Sequence, residues 1–406
     1  MKLLFLNHNV AWSGTFFRTF QLGQALVRRG HRVTLVTTSR DLRWAPRSRM
    51  REGVELIEMP DLLWGRARTG WDLWNTMHRA VGLRPSDYDA IHAFDCRPAV
   101  ILPALALARR GGLPLFVDWA DWWGRGGAIT ERPGFLVNRL IGGVETWFEE
   151  SFRHHALGTT VISKALEQRA VGLGIAPGTI HRFPNGCDHE QIRPLDYRAA
   201  RAELSVADDA RIVAHVGVIY PRDLTLLLGA MARVVEVRPE ARLVMLGNPK
   251  APLRLDALPG GALHSTGFVD FDVLQHWLGA SDCCVVPLSD TVCNWGRWPG
   301  KVNDYLCAGR AVVMPRVGDA AEWIDRERAG WTSRADVGSF ADALMEALGT
   351  REGAAEAGAR GRALAETRLS WATVAAGVDE FYDRALAGRW ADGPTEGNAS
   401  SVETYK

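Results

Sequence analysis

The sequence has no surplus of charge of either sign: 48 Lys+Arg stand against 47 Asp+Glu, a formal net charge of +1. A chain that wraps nucleic acid needs a basic excess, so nucleic acid is not expected as a partner. Long apolar runs are missing too. The longest, Ala99 to Ala108, is interrupted by Pro103 and falls well short of the ~20 residues of a membrane span. After Lys2 only Leu3 to Leu6 are apolar before Asn7-His8-Asn9, too short for the core of a secretory signal. The six cysteines (Cys96, Cys187, Cys283, Cys284, Cys293 and Cys307) include no CxxC pair and no zinc-like spacing with histidine. Neither a disulfide framework nor a metal site is expected, and reduced thiols in the cytoplasm are. The turn Asn7 to Thr15, after the first apolar run, contains no GxGxxG, which argues against a dinucleotide pyrophosphate there.

What is present is a chain of 406 residues, 47% hydrophobic, enough for two or three domains of roughly 150 residues. Tryptophan is over-used, with 16 Trp against 14 Phe and 6 Tyr. Short apolar runs alternate with amphipathic ones, the sequence form of βαβ units and a parallel sheet. Strands are expected near Lys2-Leu6, Arg32-Thr37, Val54-Glu58, Ala90-Ala93, Leu115-Asp118 and Thr159-Ile162. A turn-rich connector around Asn185-Gly186-Cys187-Asp188 follows, and the alternation restarts at Arg211-Val216 and continues through Arg242-Leu246, Leu263-Thr266, Cys283-Pro287 and Ala311-Pro315. The fold class is therefore α/β with two doubly wound halves. The divisions are 1–184, 185–370, a helix over 371–387 returning to the first half, and a polar tail over 388–406 expected to be disordered. Gly14, ahead of a Thr helix start, lets a substrate or phosphate approach a helix N-terminus; a plain glycine turn is the other reading.

The connector His181-Arg182-Phe183-Pro184-Asn185-Gly186-Cys187-Asp188 resembles the crossover of GT-B glycosyltransferases. Ordered around it are Gly14, Arg29-Gly30-His31-Arg32-Val33, Ala214-His215-Val216-Gly217, Val244-Met245-Leu246-Gly247, Ser265-Thr266-Gly267-Phe268-Val269 and Lys301 to Val313. Together, over residues 1–386, they are similar to the retaining glycosyltransferase family 4. The resemblance implies two Rossmann-like domains facing a central cleft, the first for the acceptor and the second for a nucleotide-sugar. It also implies retention of anomeric configuration and a metal-independent site, with a nucleoside-diphosphate sugar as substrate and no cofactor. A nucleotide-sugar epimerase of the same fold and a catalytically silent nucleotide- or carbohydrate-binding protein are the alternatives.

A nucleoside diphosphate leaving group needs cations or amides around its phosphates. Pro299-Gly300-Lys301 opens an apolar-periodic run, so Lys301 sits in a helix first turn, where a cation opposes the dipole unless an anion is bound. Arg222 is the second candidate cation. Relatives carry an Arg directly after the glycine matched by Gly217; here Val218 stands there. Of the family's acidic pair, Asp304 matches the second member and Gly296 the first. The loop between them and the preceding strand offers Asp290, Asn294 and Trp295 to the sugar, with Gly217, Gly247 and Gly300 beside the phosphates. On the acceptor side, Asp118-Trp119-Ala120-Asp121-Trp122-Trp123-Gly124 follows a strand; Asp121 is expected to act at the reacting groups, and Gly14, His92, Asp118 and Trp122 to bind the acceptor. Asp95 lies on the same edge. Finally, Arg40, Arg43, Arg47, Arg49, Arg51, Arg66, Arg68 and Arg79 interleave with Trp44, Trp64, Trp71 and Trp74. That composition fits contact of segment 40–79 with the anionic cytoplasmic face of a membrane, to reach a glycan or lipid-linked acceptor; an aromatic acceptor groove or helix packing is the competing reading. The tryptophan excess is thus assigned mainly to surface for sugar and lipid.

Overall fold

The structure, a computed structural model, describes residues 1–63, 69–131, 135–247, 249 and 253–388. Trp64, Arg66, Arg68 and all but the first residue of the tail expected over 388–406 lie outside the described residues. The chain separates into two compact units, Met1–Pro184 with the chain from Val374 on, and Asn185–Thr373.

The first unit is built on β1 (Lys2–Val10), β2 (Arg32–Thr38), β3 (Arg47–Arg51), β4 (Val54–Met59), β5 (Ala90–Phe94), β6 (Leu115–Trp119), β7 (Gly158–Val161) and β8 (Ile180–Arg182). They lie in the order β3-β4-β2-β1-β5-β6-β7-β8, and only β3 runs antiparallel to its neighbour. Leu3 pairs with Val33 on one side and Ala90 on the other, so β1 is central and buried on both faces. It runs past the apolar stretch because its polar residues are satisfied inside: Asn7 Nδ2 donates to Thr19 Oγ1 at 2.9 Å, and the His8 carbonyl accepts from Thr38 Oγ1 at 2.9 Å. Leu4, Val36, Ile91, Val100 and Leu107 form one side of the core.

The basic segment 40–79 contains β3. Arg47 and Arg49 lie 2.9 and 3.3 Å from Glu58, so the positive patch is partly neutralised. A charged edge strand of this kind also discourages pairing with other chains. The last helix, Trp371–Leu386, carries the chain into the first unit, where Tyr382 Oη lies 2.6 Å from His92 Nδ1 and Asp379 lies 2.9 Å from both Arg29 and His31.

The second unit carries β9 (Arg211–Val216), β10 (Ala241–Leu246), β11 (Leu263–Gly267), β12 (Cys283–Val285), β13 (Ala311–Pro315) and β14 (Gly330–Ser333), all parallel, in the order β11-β10-β9-β12-β13-β14. Val213, Leu227, Met231, Leu243, Val313, Phe340 and Leu344 fill its core.

In each sheet the strand order reverses once, between β1 and β5 and between β9 and β12. Ligand crevices in open parallel sheets form beyond the carboxyl ends of strands at such switch points. The tryptophan assignment changes here: Trp119 and Trp298 are only 2% and 4% exposed and belong to the interior, whereas Trp44 is 75% and Trp295 39% exposed. Among the described residues no helix is long and apolar enough to cross a membrane.

Candidate functional site

At the second switch point, the ends of β9 and β10 touch through glycine. Gly247 has φ +106°, and a Cβ on it would lie 3.1 Å from the Gly217 Cα. A side chain at Gly247 would crowd the Gly217 backbone, and both residues have positive φ, so backbone lines this end of the sheet. Gly217 N donates to the Leu246 carbonyl and Gly247 N to the Gly267 carbonyl at 2.6 and 2.7 Å.

Beside these glycine turns begins the helix Gly300–Cys307. Gly300 is exposed at its start. Lys301 Nζ donates to His215 Nε2 at 3.1 Å and to the Val218 carbonyl at 3.0 Å. His215 Nδ1 faces the Val285 carbonyl at 3.2 Å, which assigns its proton to Nδ1 and leaves Nε2 as the acceptor. Burial, and next Lys301, keep this imidazole well below its ordinary range and hence neutral. Burial, then the Arg297 guanidinium, draws Lys301 down to about 7 against the opposing pull of Asp223 and Asp304. Burial lifts Asp304 to about 7, with Lys301 opposing and Asp188 adding to the rise. The ammonium is therefore only partly compensated, with Arg297 opposing it and Asp223 and Asp304 supporting it, and gains from an arriving anion.

The loop before this helix is organised by Asp223, a buried residue in the first turn of Pro221–Val237. Its carboxylate accepts from Ser289 N at 2.8 Å, Ser289 Oγ at 2.6 Å, Asn294 Nδ2 at 3.2 Å and Arg297 Nη2 at 3.3 Å. Asn294, expected to meet the sugar, is 4% exposed, and its amide is taken up by Asp223 and the Ser289 carbonyl; it holds the loop. Asp290 accepts from Trp295 Nε1 at 2.7 Å at the surface, so this pair keeps an exposed aromatic face. Arg222 lies exposed one residue before Asp223. The connector is fastened to the same helix, with Asn303 Nδ2 donating to the Asn185 and Gly186 carbonyls at 2.7 Å each.

At the first switch point, Gly14 has φ +57°, and a Cβ there would fall 2.6 Å from Asn9 Nδ2. Two expected acceptor residues are interior. Asp118 is 1% exposed and accepts from Arg18 Nε at 3.0 Å, Arg18 Nη2 at 3.1 Å and Thr160 Oγ1 at 2.6 Å. His92 is also 1% exposed, lies between Tyr382 and Thr160, and is drawn down to about 4 by burial. Both are framework groups, because every polar atom they own is engaged inside the unit. Asp121 and Trp122 are half-buried in the loop beyond β6, and Asp121 lines a small cavity with Thr15, Asp95 and Trp123. Asp95 itself has φ +94°, an uncommon conformation for a non-glycine residue and a frequent companion of functional strand ends.

The loop 119–124 is held by Glu149, which accepts from Trp119 Nε1 at 2.8 Å, from Trp123 N at 3.0 Å and from Gly124 N. Arg153 stacks on the Trp119 ring at 4.0 Å and Arg169 on Trp122 at 4.4 Å. Glu149, Arg18, His215, Asp223 and Arg297 are the residues that reading the sequence did not single out. The signal for Arg18 was a charge on the apolar face of its helix, among Phe16, Thr19, Phe20 and Leu22. Among the described residues no group of three or more His, Cys, Asp or Glu is arranged to hold a metal ion.

Two family models match the chain: a glycosyl transferase 4-like domain over residues 13–186 and glycosyl transferases group 1 over residues 210–350. Among curated proteins, the chain is 29% identical over 230 residues to D-inositol 3-phosphate glycosyltransferase 2 of Catenulispora acidiphila, covering 52% of each. It is 25% identical over 331 residues to the MMP alpha-(1->4)-mannosyltransferase of Mycolicibacterium hassiacum, covering 76% of this chain and 74% of that one. The chain thus spans about half the length of the first of these relatives. Solved structures share the fold along nearly the full length. Sucrose-phosphate synthase from Thermosynechococcus elongatus superposes with a TM-score of 0.72 at 16% identity, over 96% of this chain and 100% of that one. HepE of Anabaena, solved with UDP and glucose, gives 0.67 at 14% identity, over 94% and 99%. Two glycosyltransferase domain models laid end to end on two Rossmann-like sheets place the chain in the group 1 glycosyltransferases of GT-B fold, with a glycosyl transferase 4-like first half.

Proposed function

We propose that the chain transfers a sugar from a nucleoside-diphosphate sugar to a hydroxyl of a glycan, lipid-linked or phosphorylated polyol acceptor, with retention of anomeric configuration and without a metal ion. The observation that carries this is Lys301: an ammonium in a helix first turn, beside the Gly217 turn, whose hydrogen-bond partners among the described residues are a neutral imidazole and one carbonyl. Such a group fits the charge that develops on a departing diphosphate. In this reading Asp304, one turn on, accepts from ribose hydroxyls, and Asp121 meets the acceptor or the reacting sugar. The curated relatives named for inositol 3-phosphate and for mannosyl transfer support a polyol or sugar hydroxyl as nucleophile.

A thermal-shift screen over nucleoside diphosphates and their sugars tests the donor. A ligand at 100 times its Kd stabilises by about 2.7 kcal/mol, a rise of several degrees. No shift with any of them, together with no hydrolysis of any nucleotide-sugar, sinks the reading; shifts without turnover leave a silent binding protein. The anomeric coupling in the product NMR spectrum tests retention separately.

We further propose that the first unit docks on the anionic cytoplasmic face of a membrane. The helix Leu73–Gly82 exposes Leu73, Met77 and Val81 on one stripe, at 73%, 47% and 75%, near Trp44, which packs edge-on against Trp74. Arg40, Arg43 and Arg51 belong to the same segment. Apolar anchors with nearby cations are the composition of an interfacial surface. Flotation with phosphatidylserine vesicles at low salt should carry the protein upward, and Leu73→Asp with Val81→Asp should abolish this; no flotation of the native chain ends the idea.

A further inference from the structure

Val218 stands where the family resemblance leads to the expectation of a cation directly after Gly217. Arg222 lies exposed in the first turn of the following helix. A different guanidinium is near. Arg297 leaves the loop before the helix Gly300–Cys307. Its Nη2 lies 3.3 Å from Asp223 Oδ2, its Cζ is 5.3 Å from the Tyr220 ring, and its Nε is buried without a hydrogen-bond partner. Tyr220 and Asp223 belong to the segment that follows Gly217, so this guanidinium lies at the mouth of the β9 turn, next to Lys301.

We propose that Arg297 is the second cation of the diphosphate subsite, acting with Lys301 in place of the missing arginine at 218; this rests on the nucleoside-diphosphate reading above. Three observations converge. The Arg297 guanidinium is near enough to lower Lys301, a like-charge juxtaposition that costs free energy in the empty protein and is relieved by a shared anion. Asp223 already accepts from Ser289 and Asn294, and Asp304 is lifted to about 7 by burial, so the two carboxylates neutralise the pair incompletely. Arg297 meets Asp223 through Nη2, and the planar fork can hold a carboxylate with one arm and a phosphate oxygen with the other, which a point charge does not match. Asp223 then positions Arg297 when the site is empty and keeps it in the crevice.

The test is calorimetric titration of the full chain with UDP, GDP, ADP and dTDP and with the corresponding monophosphates. The native protein is expected to bind one diphosphate at least tenfold more tightly than its monophosphate. Arg297→Ala should weaken the diphosphate by roughly tenfold to a hundredfold while leaving the monophosphate within about twofold, and Arg297→Lys should recover part of the loss. A purely structural arginine would lower both ligands alike or neither, and either result overturns the assignment while leaving the donor reading intact. If no diphosphate binds the native chain, the donor reading fails and this assignment with it. Arg297→Gln, a shorter neutral side chain that keeps the first part of the stem and an amide donor, gives the same comparison if the alanine variant does not fold. Arg254→Ala, at an exposed pair with Asp256, controls for general loss of positive charge and should change neither ligand.

Discussion

Lys301→Met should reduce turnover of the donor by about a hundredfold to a thousandfold, the loss typical of removing one donor aimed at developing negative charge. Its effect on stability has the opposite sign to that of most buried substitutions. The Lys301 ammonium is drawn from its ordinary 10.5 to about 7 by burial and by Arg297. Between pH 7 and 10.5 the unfolded chain therefore binds more protons than the folded one, so stability rises with pH across that window and the full penalty applies below pH 7. The methionine variant should match or exceed the native melting temperature at pH 6.5 while losing activity. Diphosphate binding returns the proton to Lys301, so native affinity should fall as pH rises above 7. Titration in two buffers of different ionisation enthalpy at pH 8 should then show proton uptake. The surrounding groups are His215, held neutral, Arg297, Asp223 and Asp304; Asp304 ionises near the same pH and steepens the decline. Unchanged turnover together with no proton uptake would remove Lys301 from the diphosphate site.

Arg18→Ala should be the most destabilising single change in the first unit. The guanidinium forms both bonds to Asp118 and also donates to the Phe183 and Pro184 carbonyls at 3.3 and 3.1 Å, just before the chain leaves for the second unit. Burial alone would push Asp118 up; the Arg18 charge and its hydrogen bonds outweigh this and hold the carboxyl below its usual range. Removing one partner of such a pair strands the other and costs about 3–5 kcal/mol, or a fall of roughly 6–20 °C in the melting of a unit of this size. The sign with pH follows. In the native chain the Asp118 contribution is present above the ordinary carboxylate range and is lost as pH falls through its lowered value. In the variant, Asp118 rises with burial, so acidification to pH 5 should narrow the gap between the two proteins. Adding Asp118→Asn should recover part of the loss. A melting temperature within 2 °C of native at pH 7, an order-of-magnitude threshold for a negligible effect, would show that Arg18 and Asp118 do not act as a buried pair.

Much of the fold could be read along the chain because a parallel sheet buried on both faces leaves a plain mark: short apolar runs, closed by turns, in regular alternation with helices. β1, β2, β5, β6, β9, β10 and β13 all answer to that mark, and so does the change of half near Asn185. β3 did not, since an edge strand made of Arg47-Ser48-Arg49-Met50-Arg51 has no buried face to select apolar residues. β8 and β14 are too short to show a period. The helix positions of Gly14, Lys301 and Asp304 were likewise legible, because turn glycines and helix starts are local.

The class of the chain, its two halves, the motifs that carry the family resemblance and the residue types offered to a diphosphate all follow from local pattern. Which of those residues are available depends on how the chain folds back on itself. Asp118, His92 and Asn294 stand in the right segments, yet each is consumed by a partner distant along the chain: Arg18, Tyr382 and Asp223 respectively. Trp119 and Trp298 are turned inward as well, with Glu149, thirty residues on, and Asn303, five residues on, receiving their indole N–H groups. A buried polar group must find its partner wherever the chain brings one, and which partner that is depends on contacts a hundred or more residues apart, as between Arg18 and Asp118. Local pattern can nominate a functional side chain; long-range pairing decides whether it is left to meet a ligand.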